Sequence, residues 1–326
     1  MIMITIAFLL GMVLCMLFGV PYIDMLKKKM IGQYVKELAP ENHAKKQGTP
    51  TTGGVFIIAA IIMASVTTLL LAQKMTTIAL ITIITLVFYA FAGFQDDYIK
   101  IKDKSNDGLT ARGKLFRQIA IALLPTLFLI TTNPNATIFS IGSFVIDLKW
   151  LYPLFSVLVI TGASNAYNLT DGLDGLAAGC GVPTFIACSI IALLSGEMEI
   201  AIISATVAGA LLGFLKFNKP KAEVFMGDVG SLAIGGLLGT IAILGKFEFL
   251  LIFVSAIFII ETLSVIIQVT SFKTTGKRVF KMAPIHHHFE LLGWNEKKIV
   301  IVFSIISLIS SALAVLLFEL FSRGIL

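Results

Sequence analysis

Long apolar runs, each close to the roughly 17–25 residues that carry a helix across a bilayer, alternate with short polar stretches along this chain. Ten such runs stand out, at about 2–20, 54–73, 76–95, 115–132, 150–166, 176–195, 200–217, 230–245, 247–270 and 299–321. A different pattern occupies 133–149, where "ATIFSIGSFVIDL" sets short apolar runs on either side of Gly142 and predicts a small β-hairpin. No internal repeat or low-complexity linker divides the chain. The expected fold is therefore an all-α polytopic membrane protein with ten transmembrane helices, forming one integral membrane domain over residues 1–326.

Composition agrees with that pattern: 57% of residues are hydrophobic, 13% are charged, and the mean hydropathy is +0.95. A soluble core could not hide so much apolar surface. Short loops rich in Lys and Arg stay in the cytoplasm, and most of the 25 basic residues fall in or beside alternate loops, at 21–53, 96–114, 167–175, 218–229 and 271–298. The other set of loops keeps only Lys74, Lys149, Lys246 and Arg323. Both termini are thus expected outside, the hairpin on the outer, periplasmic side and the basic loops inside. Much of the net charge of +6 reports this topology. The first run has no small-residue cleavage site and reads as a retained span. Cys15, Cys180 and Cys188 all lie within spans and offer neither a CxxC pair nor a disulfide framework.

With the topology drawn, the polar signals gather on one side. In "GFQDDYIK", Asp96 and Asp97 stand together at the end of an apolar run. Two like charges ~4 Å apart repel by about 4 kcal/mol at an effective dielectric of 20. Lys100 and Lys102, a bound cation or a shared proton would each offset that repulsion. In "NAYNLTDGLDGLAAG", Asp171 and Asp174 are three apart, so a helical start would put them on one face. The glycines beside them let backbone approach a ligand. In "AEVFMGDVGSLAIGG", Asp228 sits between glycines at the mouth of a span, where an ordinary N-cap is the simpler explanation.

The stretch "KMAPIHHHFELLGW" carries His286, His287 and His288 between Pro284 and Gly293, which bound a short helix or turn. Zinc fits poorly, because no Cys is near and adjacent residues make poor joint ligands. Imidazoles facing a phosphate or a sugar fit better. Glu261 lies inside the ninth run, where a carboxylate serves either a site or a helix pairing. Aspartates, histidines and lysines at a cytoplasmic membrane surface suit a phosphorylated substrate with a hard divalent cation. No Walker A, GxGxxG or DDxxD pattern is present.

These motifs, with "GTPTTGG" at Gly48 to Gly54, closely resemble the phospho-N-acetylmuramoyl-pentapeptide transferase family. That family lies within the polyprenyl-phosphate N-acetylhexosamine-1-phosphate transferase superfamily. The resemblance spans about residues 45 to 298, in order, with no departure at the acidic or His positions. Pro-Ile-His-His-His-Phe-Glu points to the muramoyl-pentapeptide branch. It implies transfer of phospho-N-acetylmuramoyl-pentapeptide from UDP-N-acetylmuramoyl-pentapeptide to undecaprenyl phosphate, giving lipid I and UMP for peptidoglycan synthesis. It also implies Mg²⁺ as cofactor, a homodimer in the bacterial inner membrane, and an active site on the cytoplasmic face. No nucleic-acid partner is implied.

Carried over by resemblance, Asp228 is the expected Mg²⁺ ligand and Asp96 and Asp97 the essential pair, with Asp96 the base toward the lipid phosphate. Lys46, Thr51, Lys100, Lys114, Asn168, Asp171, Asp174 and Asn218 are expected around nucleotide and phosphate. Phe225 is a stacking candidate for uracil, and His286, His287 and His288 would hold diphosphate and sugar. Direct attack by the lipid phosphate and a two-step route through an aspartyl phosphate both remain open. A sister enzyme taking UDP-N-acetylglucosamine and a secondary transporter are the rival functions; one-sided acids and the lack of an inverted repeat weigh against the transporter.

Overall fold

Side-chain caps start three of the helices where the sequence changes from polar to apolar. Thr76 accepts from the backbone N–H of Ala79, Thr110 from Gly113 and Asn295 from Lys298. The computed structural model describes residues 1–29, 48–103, 105 and 107–325. Its helices are α1 (Ile2–Lys28), α2 (Gly54–Leu71), α3 (Thr77–Lys102), α4 (Ala111–Thr132), α5 (Tyr152–Thr170), α6 (Leu176–Leu194), α7 (Met198–Asn218), α8 (Gly227–Leu244), α9 (Ala256–Thr275), α10 (Ile285–Leu291) and α11 (Glu296–Ser322). A single helical turn, Leu251–Val254, precedes α9, so the run expected at 247–270 is broken rather than continuous.

Nine of these helices are long and apolar enough to cross a membrane, counted among the described residues. The chain is an α-helical multi-pass membrane protein. The remaining run, expected at 150–166, forms α5, which is long enough but carries Ser156, Thr161, Ser164, Asn165, Asn168 and Thr170. Its hydroxyls turn inward: Ser156 meets Thr126 at 2.8 Å, and Ser164 donates to the carbonyl of Leu232 at 2.9 Å. A helix that shows its polar face to protein can afford fewer apolar residues.

Helices α7 and α8 form the centre and are buried along nearly their whole length. Around α7 pack α1, α2 and α6; around α8 pack α3, α5 and α4. Small residues permit the closest crossings. A Cβ on Gly235 would lie 2.6 Å from the carbonyl oxygen of Ala163, and one on Gly239 2.6 Å from Cα of Ile160, so α8 rides directly on α5. The outer helix α11 exposes Leu308, Ile309, Leu313 and Leu316, an apolar surface suited to lipid. The hairpin forms where it is expected: β1 (Ile138–Ile141) pairs antiparallel with β2 (Phe144–Asp147), Ile141 opposite Phe144, and Gly142 takes φ +56° in the two-residue turn.

Candidate active site

One crossing brings the aspartates together. A Cβ on Gly93 would lie 2.1 Å from the carbonyl oxygen of Asp228, so α3 meets the start of α8 at backbone contact. One helical turn further along α3, Asp96 and Asp97 reach Asp228. Helix α3 runs on to Lys102, which puts the pair in its last turns rather than beyond its end. Carboxylate oxygens of Asp96, Asp97 and Asp228 lie within 4.8 Å of one another.

The three carboxylates do different work. Asp97 is buried and accepts from the backbone N–H groups of Asp228 at 3.1 Å and Val229 at 3.0 Å. It therefore caps α8, placing negative charge at the positive end of that helix. The cap expected of Asp228 comes instead from another helix. Gly227, with φ +73°, makes the turn, and a Cβ there would lie 2.6 Å from Asp97 Oδ2. Asp96 accepts from the N–H of Leu109 at 2.8 Å through Oδ1 and meets Lys100 Nζ at 2.5 Å through Oδ2. Asp228 Oδ2 receives Lys100 at 2.9 Å and Lys114 at 2.7 Å, while Oδ1 accepts from Asn168 Nδ2 at 2.7 Å. Lys100 is one turn after Asp96 on α3, and Lys114 comes from the first turn of α4. Ser231, not singled out in the sequence, steadies Asn168 at 2.8 Å.

The turn after α5 splits its two aspartates. Residues 171–175 are not helical, and α6 begins only at Leu176, so Asp171 and Asp174 do not share a helical face. Asp171 stays with the site. Burial first, and then the charges of Asp228, Asp97 and Asp174, push its carboxyl well above the usual range. Asp174 turns toward the chain after α7, accepting from the N–H groups of Lys221 at 3.1 Å and Ala222 at 3.0 Å. Asn218 performs a similar brace: its Oδ1 accepts from Gly175 and its Nδ2 donates to Val224, both at 2.9 Å.

Thr51 is buried beside Gly227, and the carbonyl of Pro50 accepts from the N–H of Phe225 at 2.8 Å, tying the 48–54 stretch to the mouth of α8. The Phe225 side chain is half-buried. Lys46 falls outside the described residues. The three histidines on α10 part company, as consecutive residues on a helix must. His286 turns inward and is buried, with Nδ1 3.1 Å from Glu261 Oε2. His287 Nδ1 meets Glu290 Oε2 at 2.6 Å, and His288 Nδ1 accepts from the N–H of Lys281 at 3.1 Å. Sequence reasoning left Glu261 between two roles; its contact with His286 gives it the partner.

Three carboxylates with two lysines carry a formal excess of negative charge when all are ionised, and all the carboxylate donors are hard oxygens, the set a small divalent cation accepts. The site fits such an ion.

The family model of glycosyl transferase family 4 matches residues 78–246, the stretch that holds nearly all of α3, α8 and the turn between α5 and α6. A phospho-N-acetylmuramoyl-pentapeptide-transferase of Shouchella clausii is 46% identical over 90% of this chain and 91% of its own length. Proteins of the same name from Bacillus subtilis and Oceanobacillus iheyensis are each 46% identical, over 94% and 97% of this chain and 95% and 96% of theirs. Sharing this much sequence end to end, the chain belongs to the phospho-N-acetylmuramoyl-pentapeptide-transferase family, within glycosyl transferase family 4.

Proposed function

We propose that this chain transfers phospho-N-acetylmuramoyl-pentapeptide from its UDP conjugate to undecaprenyl phosphate, releasing UMP and leaving lipid I in the membrane. The observation that carries the reading is the clustering of Asp96, Asp97 and Asp228 with Lys100 and Lys114 at one end of an apolar bundle. A polyanionic, water-soluble donor and a lipid phosphate can meet at such an end.

In the direct route, an oxygen of the lipid phosphate attacks the β-phosphorus of the donor. The bond from that phosphorus to the bridging oxygen breaks, and UMP leaves with the electron pair. Asp96 takes the proton of the lipid phosphate, and Lys100 and Lys114 steady charge on the departing phosphate. Asp228, with Asp96 beside it, would hold Mg²⁺, which supplies Lewis-acid polarisation of the diphosphate when bound. Asn168 keeps Asp228 in orientation, and Asp97 fixes the start of α8. Lys46, Thr51, Asp171 and Phe225 serve donor binding, with Asp174 and Asn218 bracing the loops that carry it. His287 and His288 border the sugar and diphosphate, and His286 supports them from beneath.

The topology that goes with this reading has ten spans, α5 included, both termini outside, the hairpin periplasmic and the acidic site cytoplasmic, in the bacterial inner membrane. Basic loops on the acidic side support it. A homodimer is the assembly the family resemblance implies.

The test is UMP release by purified protein with undecaprenyl phosphate and Mg²⁺, offering UDP-N-acetylmuramoyl-pentapeptide and UDP-N-acetylglucosamine separately. Release with the muramoyl donor alone is expected. Release with the smaller donor alone would keep the chemistry and overturn the branch.

A further inference from the structure

Glu261 and His286 form a buried pair that packing does not require. Glu261 lies in α9 with no exposed surface, and His286 in α10 is equally enclosed. Glu261 Oε2 lies 3.1 Å from His286 Nδ1 and 3.5 Å from the backbone N of the same residue. Both ring nitrogens of His286, and Glu261 Oε1, have no aligned hydrogen-bond partner among the described residues. Burying such groups is expensive, and an apolar pair of similar volume would pack there at lower cost. On its far side the imidazole meets the turn after α5. A Cβ built on Gly172 would lie 2.4 Å from His286 Nε2, so the ring and any larger residue at 172 exclude each other. Asp171, next in the chain, donates its backbone N–H to the carbonyl of Asn168 at 3.2 Å, and the Asn168 side chain donates to Asp228 at 2.7 Å.

We infer that Glu261 is a positioning residue: it holds the His286 imidazole against Gly172 and so fixes the Asp171 turn at the acidic cluster. A membrane-embedded carboxylate thereby sets the geometry of a site it does not touch. The inference rests on the transfer reaction proposed above.

The experiment measures kcat and KM for UMP release by the full chain, together with thermal melting in detergent. The variants are Glu261→Gln, His286→Ala, the two combined, and Gly172→Ala. Glu261→Gln is expected to lower kcat ~10- to 100-fold, the scale for outer groups that orient a site, while donor KM moves no more than about threefold. Because both residues act through one contact, the double variant should be no slower than His286→Ala alone. Gly172→Ala, which removes no titratable group, should reproduce the loss of kcat by displacing the ring.

Multiplying losses in the double variant would overturn the inference, as would wild-type kcat in Glu261→Gln. If Glu261→Gln does not fold, Gly172→Ala decides: wild-type kcat there overturns it equally. Absence of UMP release from the unsubstituted protein with either donor would instead sink the reaction itself.

Discussion

Helix α8 carries a buried charge cluster at each end, about 27 Å apart at 1.5 Å of rise per residue, and the two ends are built differently. At its C-terminal end Lys246 Nζ donates to the carbonyl of Ala136 at 2.9 Å, to Glu248 Oε1 at 3.0 Å and to Tyr152 Oη at 3.0 Å. The Tyr152 hydroxyl in turn donates to Glu248 at 2.5 Å. One cation meets one carboxylate, and an ammonium group with three protons finds three acceptors. At the N-terminal end, Asp96, Asp97 and Asp228 face Lys100 and Lys114, with Asp171 near by. Both ends follow the helix dipole, negative groups at the start and a positive one at the finish. Only the N-terminal end leaves charge unbalanced. A closed cluster serves the fold, whereas an open one is prepared for a cation and a substrate.

Asp228→Asn breaks the open end most severely. It removes the charge on which Lys100, Lys114 and Asn168 converge while keeping the size of the side chain. Turnover is expected to fall about 10²- to 10³-fold, the scale for removing a preorganised electrostatic group, with the protein still folded. Mg²⁺ should raise the melting temperature of the unsubstituted protein, since a ligand that binds only the folded state stabilises it. It should leave Asp228→Asn unmoved. Equal shifts in both would mean that the lysines, and not a metal, balance the cluster.

Asp97→Asn tests a smaller claim, that one member of the adjacent pair acts through the fold. Its two oxygens accept from the first N–H groups of α8, and an amide can offer only one acceptor there. Losing a charged cap costs about 1–2 kcal/mol, so the melting temperature should drop. Turnover should fall ~10- to 100-fold, because Asp228 is no longer held. Asp96→Asn should leave the melting temperature closer to that of the unsubstituted protein and lower turnover further. The reverse order would exchange the two roles.

Much of this was legible in the sequence because its causes are local. Apolar runs placed most helices to within a few residues, but α1 and α3 run on past the expected ends to Lys28 and Lys102 and α9 begins only at Ala256; Gly142 between short apolar runs marked the hairpin. Four motifs marked the stretches that meet at the site. Division of labour within each motif was not legible, because it depends on which helices cross where. "DD" does not say that Asp97 turns to α8 while Asp96 turns to Lys100; the backbone contact at Gly93 decides it. Three adjacent histidines do not reveal which one is buried, and Glu261 found its partner 25 residues away on another helix. Nothing local marks Ser231 within "AEVFMGDVGSLAIGG"; its hydroxyl matters only because Asn168 arrives opposite. The polar face of α5 has its explanation equally far along the chain, in Thr126 and the carbonyl of Leu232.

Glu248→Gln sharpens the comparison from the closed end, with the smallest expected effect on activity. Glutamine keeps an acceptor oxygen for Lys246 and Tyr152 but withdraws the charge that balances the ammonium group. A hydrogen bond to a charged group contributes roughly 1.5–3 kcal/mol, and the side chain of Lys246 is 27% exposed, so solvent recovers part of that. The melting temperature should therefore fall by a few degrees while UMP release stays within about twofold of the unsubstituted protein. That outcome would separate a cluster that holds a helix end from one that works. A loss of turnover as large as that of Asp97→Asn, without a matching fall in melting temperature, would show that the two ends of α8 are coupled and that the closed cluster is not merely structural.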